Sequence, residues 1–334
     1  MSSKISLCVP RIRSAISKGE LPDSFRGFEE ELCEGAVRGL DVNQFSDYDD
    51  WIAWLRWASV SLDEDDYLKA ALHGLYLAPK LAATDYGTSR QRDLGQLWTD
   101  SIRGFLGEAS FTKWLQERFG VSIELDYKRG QLEEFLHSDI KSVDGREPKL
   151  KVSIKATKLG GIWLDVPGAQ IGHSDVFVLV RMGVTREQFI GFLKKISVVR
   201  DKLIRGALER GLMKEEELKD LWNVVPEFTS IPAYIAGFLD KPEYKDEHAV
   251  IEADGEVKKK RVIINKYLGF WHPEKPEYDE AVRILLAGRG KAVEKYMRIE
   301  FEGIGNFSRA LHFVSSSGVL KKRKEDWERL IKKL

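Results

Sequence analysis

The stretch that decides the fold runs from residue 104 to residue 157 and reads GFLGEASFTKWLQERFGVSIELDYKRGQLEEFLHSDIKSVDGREPKLKVSIKAT. Gly120 lies where a helix commonly stops. The sequence therefore predicts a helix over residues 101–119 with Glu108 near its middle. Apolar side chains recur along this segment at the spacing of one helical face, at Phe105, Leu106, Ala109, Phe111, Leu115 and Phe119.

The residues after Gly120 predict strands. Residues 121–127 alternate apolar and polar side chains, which is typical of a half-buried strand. Residues 137–143 and 149–156 predict a β-hairpin whose loop contains Asp144-Gly145 and has a length of about five residues, within the usual range.

The register of this hairpin determines which side chains meet. The predicted pairing sets Val143 opposite Lys149, which places Asp139 opposite Ser153. Lys155 is then a diagonal neighbour of Asp139, within reach of a long side chain. The sequence thus predicts a carboxylate and a lysine that project together from a sheet. Alternation of faces along a strand gives a polar face of Asp139, Lys141, Val143, Lys151, Ser153 and Lys155, and a core face of Ile140, Leu150, Val152, Ile154 and Ala156.

The order of these parts carries a resemblance. A helix with Glu, a strand, a strand with Asp and a strand with Lys together resemble the PD-(D/E)XK nuclease superfamily, and the terminal IKAT is most similar to type II restriction endonucleases. The signatures are GxxGE at residues 104–108, SD at residues 138–139 and SIK at residues 153–155. The resemblance covers about residues 100–182.

Ser153 departs from the family pattern. The catalytic residues of the family usually include an Asp or Glu two residues before the lysine. This chain has Ser153 at that position. Some restriction enzymes of the superfamily also have Ser there and recruit a carboxylate from elsewhere in space. Glu108 is the better replacement here, and Asp165 is the nearest downstream carboxylate. Without a replacement, the site is catalytically impaired.

The chemistry that the resemblance implies is metal-dependent phosphodiester hydrolysis, which needs a hard cation held by oxygen ligands. The expected metal is Mg²⁺, with Mn²⁺ as a substitute. Its ligands would be Asp139, the backbone carbonyl of Ile154, and Glu108 directly or through water. Lys155 would stabilise developing negative charge, and Gln170 would support the site. The alternative is an ordinary ion pair between Asp139 and Lys155 on a solvated face.

Charge distribution favours a nucleic-acid partner in the later part of the chain. The net charge is zero, but residues 1–100 hold 11 Lys and Arg against 17 Asp and Glu, a balance of −6, whereas the remainder holds 42 against 36, a balance of +6. This positive excess lies with the predicted catalytic segment, as phosphate binding requires. The expected DNA contacts are Lys141, Lys151, Lys158, Lys258, Lys260 and Arg261, the last three on a basic strand over residues 258–267.

Composition bounds the class of protein. The chain has 334 residues, 43% of them hydrophobic, so it is long enough for one large or two smaller globular domains. Cys8 and Cys33 are too few for a disulfide scaffold, and both thiols are expected to be reduced. No apolar run approaches the length of a membrane helix, so the sequence predicts a cytoplasmic protein without a membrane partner.

The predicted fold is α/β, with a restriction-endonuclease-like mixed central sheet flanked by helices. A mostly helical region over residues 1–95 precedes a catalytic core over residues 96–184 and an α+β region over residues 185–334 for DNA contacts and dimerisation. The predicted function is a sequence-specific double-stranded DNA endonuclease acting as a homodimer. The alternatives are a repair, junction-resolving or modification-dependent nuclease of the same superfamily, or a catalytically impaired DNA-binding protein.

Overall fold

The structure is a computed structural model that describes residues 3–84, 93–126, 139–196, 198–224, 227–241 and 248–334. Ser138 of the predicted SD signature lies outside these residues. The α-helices of the described chain are α1 (Ser3–Ser17), α2 (Glu29–Arg38), α3 (Tyr48–Ala58), α4 (Glu64–Thr84), α5 (Leu94–Phe119), α6 (Gly168–Ile171), α7 (Arg186–Lys195), α8 (Arg205–Glu209), α9 (Glu215–Val224), α10 (Pro276–Ala287) and α11 (Lys324–Ile331).

The strands of the described chain are distributed among these helices. They are β1 (Ser59–Leu62), β2 (Ile123–Leu125), β3 (Ile140–Val143), β4 (Val152–Lys158), β5 (Trp163–Pro167), β6 (Val176–Met182), β7 (Ile231–Asp240), β8 (Val250–Lys258), β9 (Arg261–Trp271), β10 (Arg298–Phe301) and β11 (His312–Ser316).

The first sheet has the strand order β1-β7-β6-β4. β4 and β6 run parallel, whereas β7 is antiparallel to both β6 and β1. Every side chain of β6 is buried, as is typical of an almost continuous apolar run in the centre of a sheet. The mixed sheet and its helices confirm the α/β class. This sheet takes strands from all three predicted regions, whose boundaries stay a prediction.

The second sheet has the order β10-β9-β11-β5, with β8 paired to β9. Only β9 and β10 run parallel among these described pairs. β2 and β3 form a separate antiparallel pair. Because β5 follows β4 after a short turn, the chain passes directly from the first sheet into the second.

Helix α5 confirms the helix predicted around Glu108. Asp93 caps its first turn by accepting a hydrogen bond from the Gln96 N–H at 2.8 Å. Gly120 ends it with a φ of 68°, a left-handed conformation that glycine adopts without a steric penalty. The helix begins seven residues earlier than predicted, at Leu94.

The predicted hairpin between residues 137–143 and 149–156 is wrong. β3 pairs with β2, where Leu125 lies opposite Ile140, and β4 pairs with β6. The Asp144-Gly145 signal forms a tighter turn than predicted, because both residues have positive φ and Val143 bonds Arg146.

The segment before β4 bonds to other parts of the molecule. The Lys149 N–H donates to the carbonyl of Leu334 at 3.0 Å, and the Lys151 N–H donates to Asp175 Oδ2 at 2.9 Å. These bonds divert the chain from the register that would set Val143 opposite Lys149. The described residues of the two predicted strands are therefore linked by the hydrogen bonds of Asp139 and do not pair as strands.

Cys8 of α1 and Cys33 of α2 form a disulfide, so the prediction of two reduced thiols is wrong. Both side chains are fully buried in the core that joins the N-terminal helices to the sheets. Their spacing of 25 residues gave no indication of pairing, because contact depends on how α1 packs against α2.

Across the described ranges of the chain, each helix is too short or too polar to cross a lipid bilayer.

Candidate active site

Close packing of α5 on β4 brings Glu108 to the candidate site. Gly107 faces Ala156 and Met182, and a β-carbon placed at Gly107 would lie only 2.6 Å from the Ala156 β-carbon. The helix can approach β4 this closely because position 107 carries no side chain. The next residue, Glu108, is half-buried and lies within electrostatic range of Asp139 and Lys155.

Asp139 lies immediately before β3 and is anchored to β4. Its N–H donates to the Val152 carbonyl at 2.9 Å, and its Oδ2 accepts from the Ile154 N–H at 2.5 Å. The Ser153 hydroxyl also hydrogen-bonds the Asp139 carboxyl group. Asp139 therefore lies beside Ser153, as expected, although the hairpin that predicted this contact does not form.

Lys155 projects from β4 and is half-buried. Its Nζ donates to Gln170 Oε1 at 2.6 Å. Gln170 belongs to the short helix α6, which follows β5. The structure thus brings together Lys155 and the polar residue predicted to support it. This hydrogen bond holds the Lys155 ammonium group next to α6.

The two carboxyl groups and the lysine influence one another. Burial raises the pKa of Glu108 well above its ordinary value of 4.5; the carboxyl group of Asp139 raises it further, and Lys155 lowers it. Burial also raises the pKa of Asp139, while Lys155, the Ile154 N–H and the Ser153 hydroxyl lower it. Of the pair, Glu108 holds a proton more strongly, and Asp139 is the better stabilised carboxylate.

Asp126 is a further carboxylate that the sequence prediction missed. It follows β2, and its N–H donates to the backbone carbonyl of Asp139 at 3.0 Å. Its charge raises the pKa of both Glu108 and Asp139. Pairing of β2 with β3 places Asp126 beside Asp139. The proximity of Asp126 to Asp139 could have been predicted by pairing the strand at residues 121–127 with the segment that follows Asp139.

Glu108 and Asp165 are the two carboxylates predicted to compensate for Ser153, and only Glu108 lies beside Asp139. Glu108 adjoins Asp139, whereas Asp165 on β5 accepts a hydrogen bond from His312 at 2.6 Å. Ser153 itself is buried and bonded to Asp139. Asp126 therefore adds negative charge next to Asp139, a contribution that spacing along the chain did not indicate.

The donor set suits a hard cation only if a backbone oxygen joins the carboxylates. Within the described ranges, there is no group of three or more His, Cys, Asp or Glu side chains arranged to hold a metal ion. Glu108 and Asp139 supply two carboxyl groups at the free edge of β4. Since the Ile154 N–H points to Asp139, the Ile154 carbonyl points to the same edge of the extended strand. Oxygen ligands of this kind fit Mg²⁺ or Mn²⁺.

The six predicted DNA-contact residues are exposed and lie on or next to four different strands, β3, β4, β8 and β9. Lys141 pairs with Glu124 at 2.5 Å, and Lys158 ends β4. The predicted basic strand at residues 258–267 is wrong in its first part, because β8 ends at Lys258 and β9 begins at Arg261. Lys260 lies in the turn between them.

Comparison of the chain with protein-family models, with curated proteins and with solved structures gives no match. The nuclease resemblance therefore depends on the sequence signatures and on the geometry around Asp139.

Proposed function

We propose that this protein is a sequence-specific endonuclease that hydrolyses phosphodiester bonds in double-stranded DNA with Mg²⁺, as a homodimer. The observation that carries the proposal is the convergence of Glu108, Asp139 and Lys155. Glu108 belongs to a helix, Asp139 to the residues just before a strand, and Lys155 to the strand at the edge of a sheet. The charges of Asp139 and Lys155 both shift the pKa of Glu108. Perturbed titratable groups of this kind concentrate at functional sites.

The residues have distinct roles in this proposal. Asp139 and Glu108 would hold the cation, together with the carbonyl of Ile154. When bound, Mg²⁺ would supply charge neutralisation at the phosphate and activation of the attacking water. Lys155, oriented by Gln170, would place a positive charge beside the phosphate as negative charge develops. Hydrolysis adds one water across a P–O bond, so no other reactant is required.

A catalytically impaired DNA-binding protein is a second candidate. Ser153 favours it, because a buried hydroxyl bonded to Asp139 occupies the place where the family usually has a metal-binding acid. Asp126 favours the enzyme, since its charge adds to the negative potential that would attract a cation to Glu108 and Asp139. A repair, junction-resolving or modification-dependent nuclease would use the same site and differ in its DNA substrate.

The test is cleavage of unmethylated plasmid and phage DNA by the purified protein, with Mg²⁺ and with a chelator. We expect discrete fragments that require the metal. Lys155→Ala should reduce the cleavage rate by about 10²- to 10³-fold, because the variant loses a preorganised positive charge at the phosphate. Lys69→Ala, at an exposed position of α4, is the matched control and should cleave at the wild-type rate.

The possible results separate the candidates. Equal DNA binding with and without metal, and no cleavage of any duplex, would favour the impaired DNA-binding protein. Cleavage of branched, damaged or modified DNA alone would favour the other nucleases. Cleavage that is unchanged in Lys155→Ala would mean that the catalytic centre lies elsewhere.

A further inference from the structure

A cavity of about 520 Å³ adjoins the candidate active site. Lys155 and Thr157 of β4 line one side, and Trp163 and Asp165 of β5 line another. Its volume falls within the range of about 300–1,000 Å³ that is common for small-molecule sites. Because Lys155 belongs to both, a group bound in this cavity would lie next to the proposed reaction centre.

A chain of hydrogen bonds runs along the wall of this cavity. His312 Nδ1 lies 2.6 Å from Asp165 Oδ1, and His312 Nε2 lies 2.6 Å from Ser308 Oγ. A carboxylate oxygen accepts, so the His312 Nδ1–H donates to Asp165. The other ring nitrogen, Nε2, bonds the Ser308 hydroxyl, so the three side chains are connected in one line.

This direction of donation gives the wall an accepting character. The Asp165 side chain is 40% exposed, so its carboxylate can accept hydrogen bonds in addition to the one from His312. Ser308 is exposed, and its hydroxyl holds the His312 ring in place at Nε2. A complementary ligand must therefore bring hydrogen-bond donors to this wall.

Aromatic side chains limit the shape of that ligand. The indole of Trp163 is fixed by a hydrogen bond from its Nε1 to the Glu302 carbonyl at 2.8 Å. The ring of Phe307, which also lines the cavity, lies 5.6 Å from the His312 ring at an angle of 31°. Trp163 and Phe307 therefore give the cavity a fixed aromatic lining beside Asp165, which suits a flat, partly apolar ligand.

We propose that the cavity binds a nucleobase that carries an exocyclic amino group, with Asp165 accepting from that group. Adenine, cytosine and guanine have such a group, whereas thymine does not. The same chemistry could come from a free nucleotide or from a base extruded from DNA. Only the second source rests on the proposed nuclease function, and there the base would belong to the strand held at Lys155.

The first experiment measures binding of dAMP, dCMP, dGMP and dTMP to the full chain by equilibrium dialysis, in chelator. We expect at least one of the amino-bearing nucleotides to bind about tenfold or more tightly than dTMP, because the N3–H of thymine lies between two carbonyl oxygens that a carboxylate repels. Asp165→Asn should abolish this preference. Ser308→Ala should weaken it, whereas Asp49→Asn, at an exposed and distant aspartate, should preserve it.

The second experiment distinguishes the sources of the base. Duplexes with 2-aminopurine at successive positions are mixed with the wild-type protein in chelator, so that they stay uncut. A fluorescence increase at one position, absent with Asp165→Asn, would support extrusion of that base. Nucleotide binding without any fluorescence increase would assign the cavity to a free nucleotide.

Other results would overturn the assignment. Equal affinity for dTMP, or an unchanged preference in Asp165→Asn, would exclude recognition by this carboxylate. Labelling of Ser308 by a fluorophosphonate would also exclude it, because the hydrogen-bond chain would then activate a nucleophile. Failure of the nuclease proposal gives a different pattern, with no DNA cleavage but intact nucleotide binding.

Discussion

Glu108 has a half-buried carboxyl group that the fold places next to another carboxyl group. Burial and the charge of Asp139 raise its pKa well above 4.5, and Lys155 offsets only part of this effect. Protonation relieves the repulsion between the carboxyl groups, and a bound cation would relieve it more fully. Metal binding would therefore compete with protons and strengthen as the pH rises.

Glu108→Gln tests how much the buried charge of Glu108 beside Asp139 destabilises the folded protein. A raised pKa means that the folded protein holds the Glu108 proton more tightly than the unfolded chain. The stability from this group is present below pH 4.5 and is lost as the pH rises through the raised pKa. In chelator at pH 8, Glu108→Gln should increase the free energy of unfolding by about 1 kcal/mol or more. Urea denaturation at pH 4 and pH 8 measures the difference.

Addition of Mg²⁺ provides the control for this prediction. The metal should raise the unfolding midpoint of the wild type and have a smaller effect on Glu108→Gln, because the variant lacks one ligand charge. A variant that is less stable than the wild type at pH 8 in chelator would contradict the electrostatic cost assigned to Glu108.

Individual site residues differed in how far the sequence could identify them. Short signatures mark Glu108, Asp139 and Lys155, and the structure brings the three within electrostatic range, whereas their catalytic role stays a proposal. Gln170 followed from its place after the lysine strand and bonds Lys155 in the structure. Asp126 has no local signature, because its relation to Asp139 arises only when β2 pairs with β3.

At the scale of elements, the packing of α5 against β4 sets the geometry of the site. The contact depends on Gly107, where an added β-carbon would meet the Ala156 β-carbon at 2.6 Å. Gly104, three residues earlier on the same helix, has no atom within 4 Å of the position of an added β-carbon. Helix α5 therefore contains one glycine that its packing requires, Gly107, and one that could be replaced by alanine without a clash, Gly104.

Gly107→Ala should lower the free energy of unfolding by about 1–3 kcal/mol, because the extra methyl group forces α5 away from β4. The same displacement moves Glu108, so DNA cleavage should fall as well. Gly104→Ala is the matched control and should increase stability by up to about 1 kcal/mol through helix propensity alone. Thermal unfolding and cleavage assays compare the two; equal effects would contradict the packing argument.

The elements around the site show why strand pairing was harder to predict than strand position. Alternating residues marked the strands on either side of Asp139, but alternation does not identify a partner. β4 adopts a parallel pairing with β6, and its other edge meets Asp139 through single bonds. The bond from Lys149 to Leu334 joins residues that are far apart in the sequence, which local patterns cannot include.

At the scale of the whole molecule, a buried cluster of charges joins distant parts of the chain. Asp41 pairs with Arg181 of β6 at 2.9 Å and with Lys322, which follows β11. The Ser317 hydroxyl donates to Asp41 at 2.8 Å. Asp41, Arg181 and Lys322 are almost completely buried, and burial lowers the pKa of Lys322. One carboxylate thus compensates two cations in the core.

Asp41→Asn should destabilise the protein by about 3–5 kcal/mol, because it leaves two buried cations without their counter-ion. Asp49→Asn is the control, since Asp49 forms an exposed pair with Arg11 and its loss should cost less than about 1 kcal/mol. Urea denaturation of both variants tests the difference. A cost below 1 kcal/mol for Asp41→Asn would show that the cluster does not hold the regions together.

The Cys8–Cys33 disulfide constrains the same molecule from its N-terminal side. It joins α1 and α2, which pack with α3 on the core shared by both sheets. Closing the loop between the cysteines restricts the unfolded chain, which typically stabilises the folded state by about 2–4 kcal/mol. Reduction should lower the urea midpoint by a corresponding amount, with two free thiols confirmed by mass spectrometry.

The Cys8→Ala/Cys33→Ala variant separates the disulfide from other effects of the reductant. Its urea midpoint should resemble that of the reduced wild type and should not change when reductant is added. DNA cleavage by the folded variant should remain, because Asp139 and Lys155 lie on elements that the disulfide does not touch. An unchanged midpoint after complete reduction of the wild type would mean that packing of α1 on α2 alone determines this part of the fold.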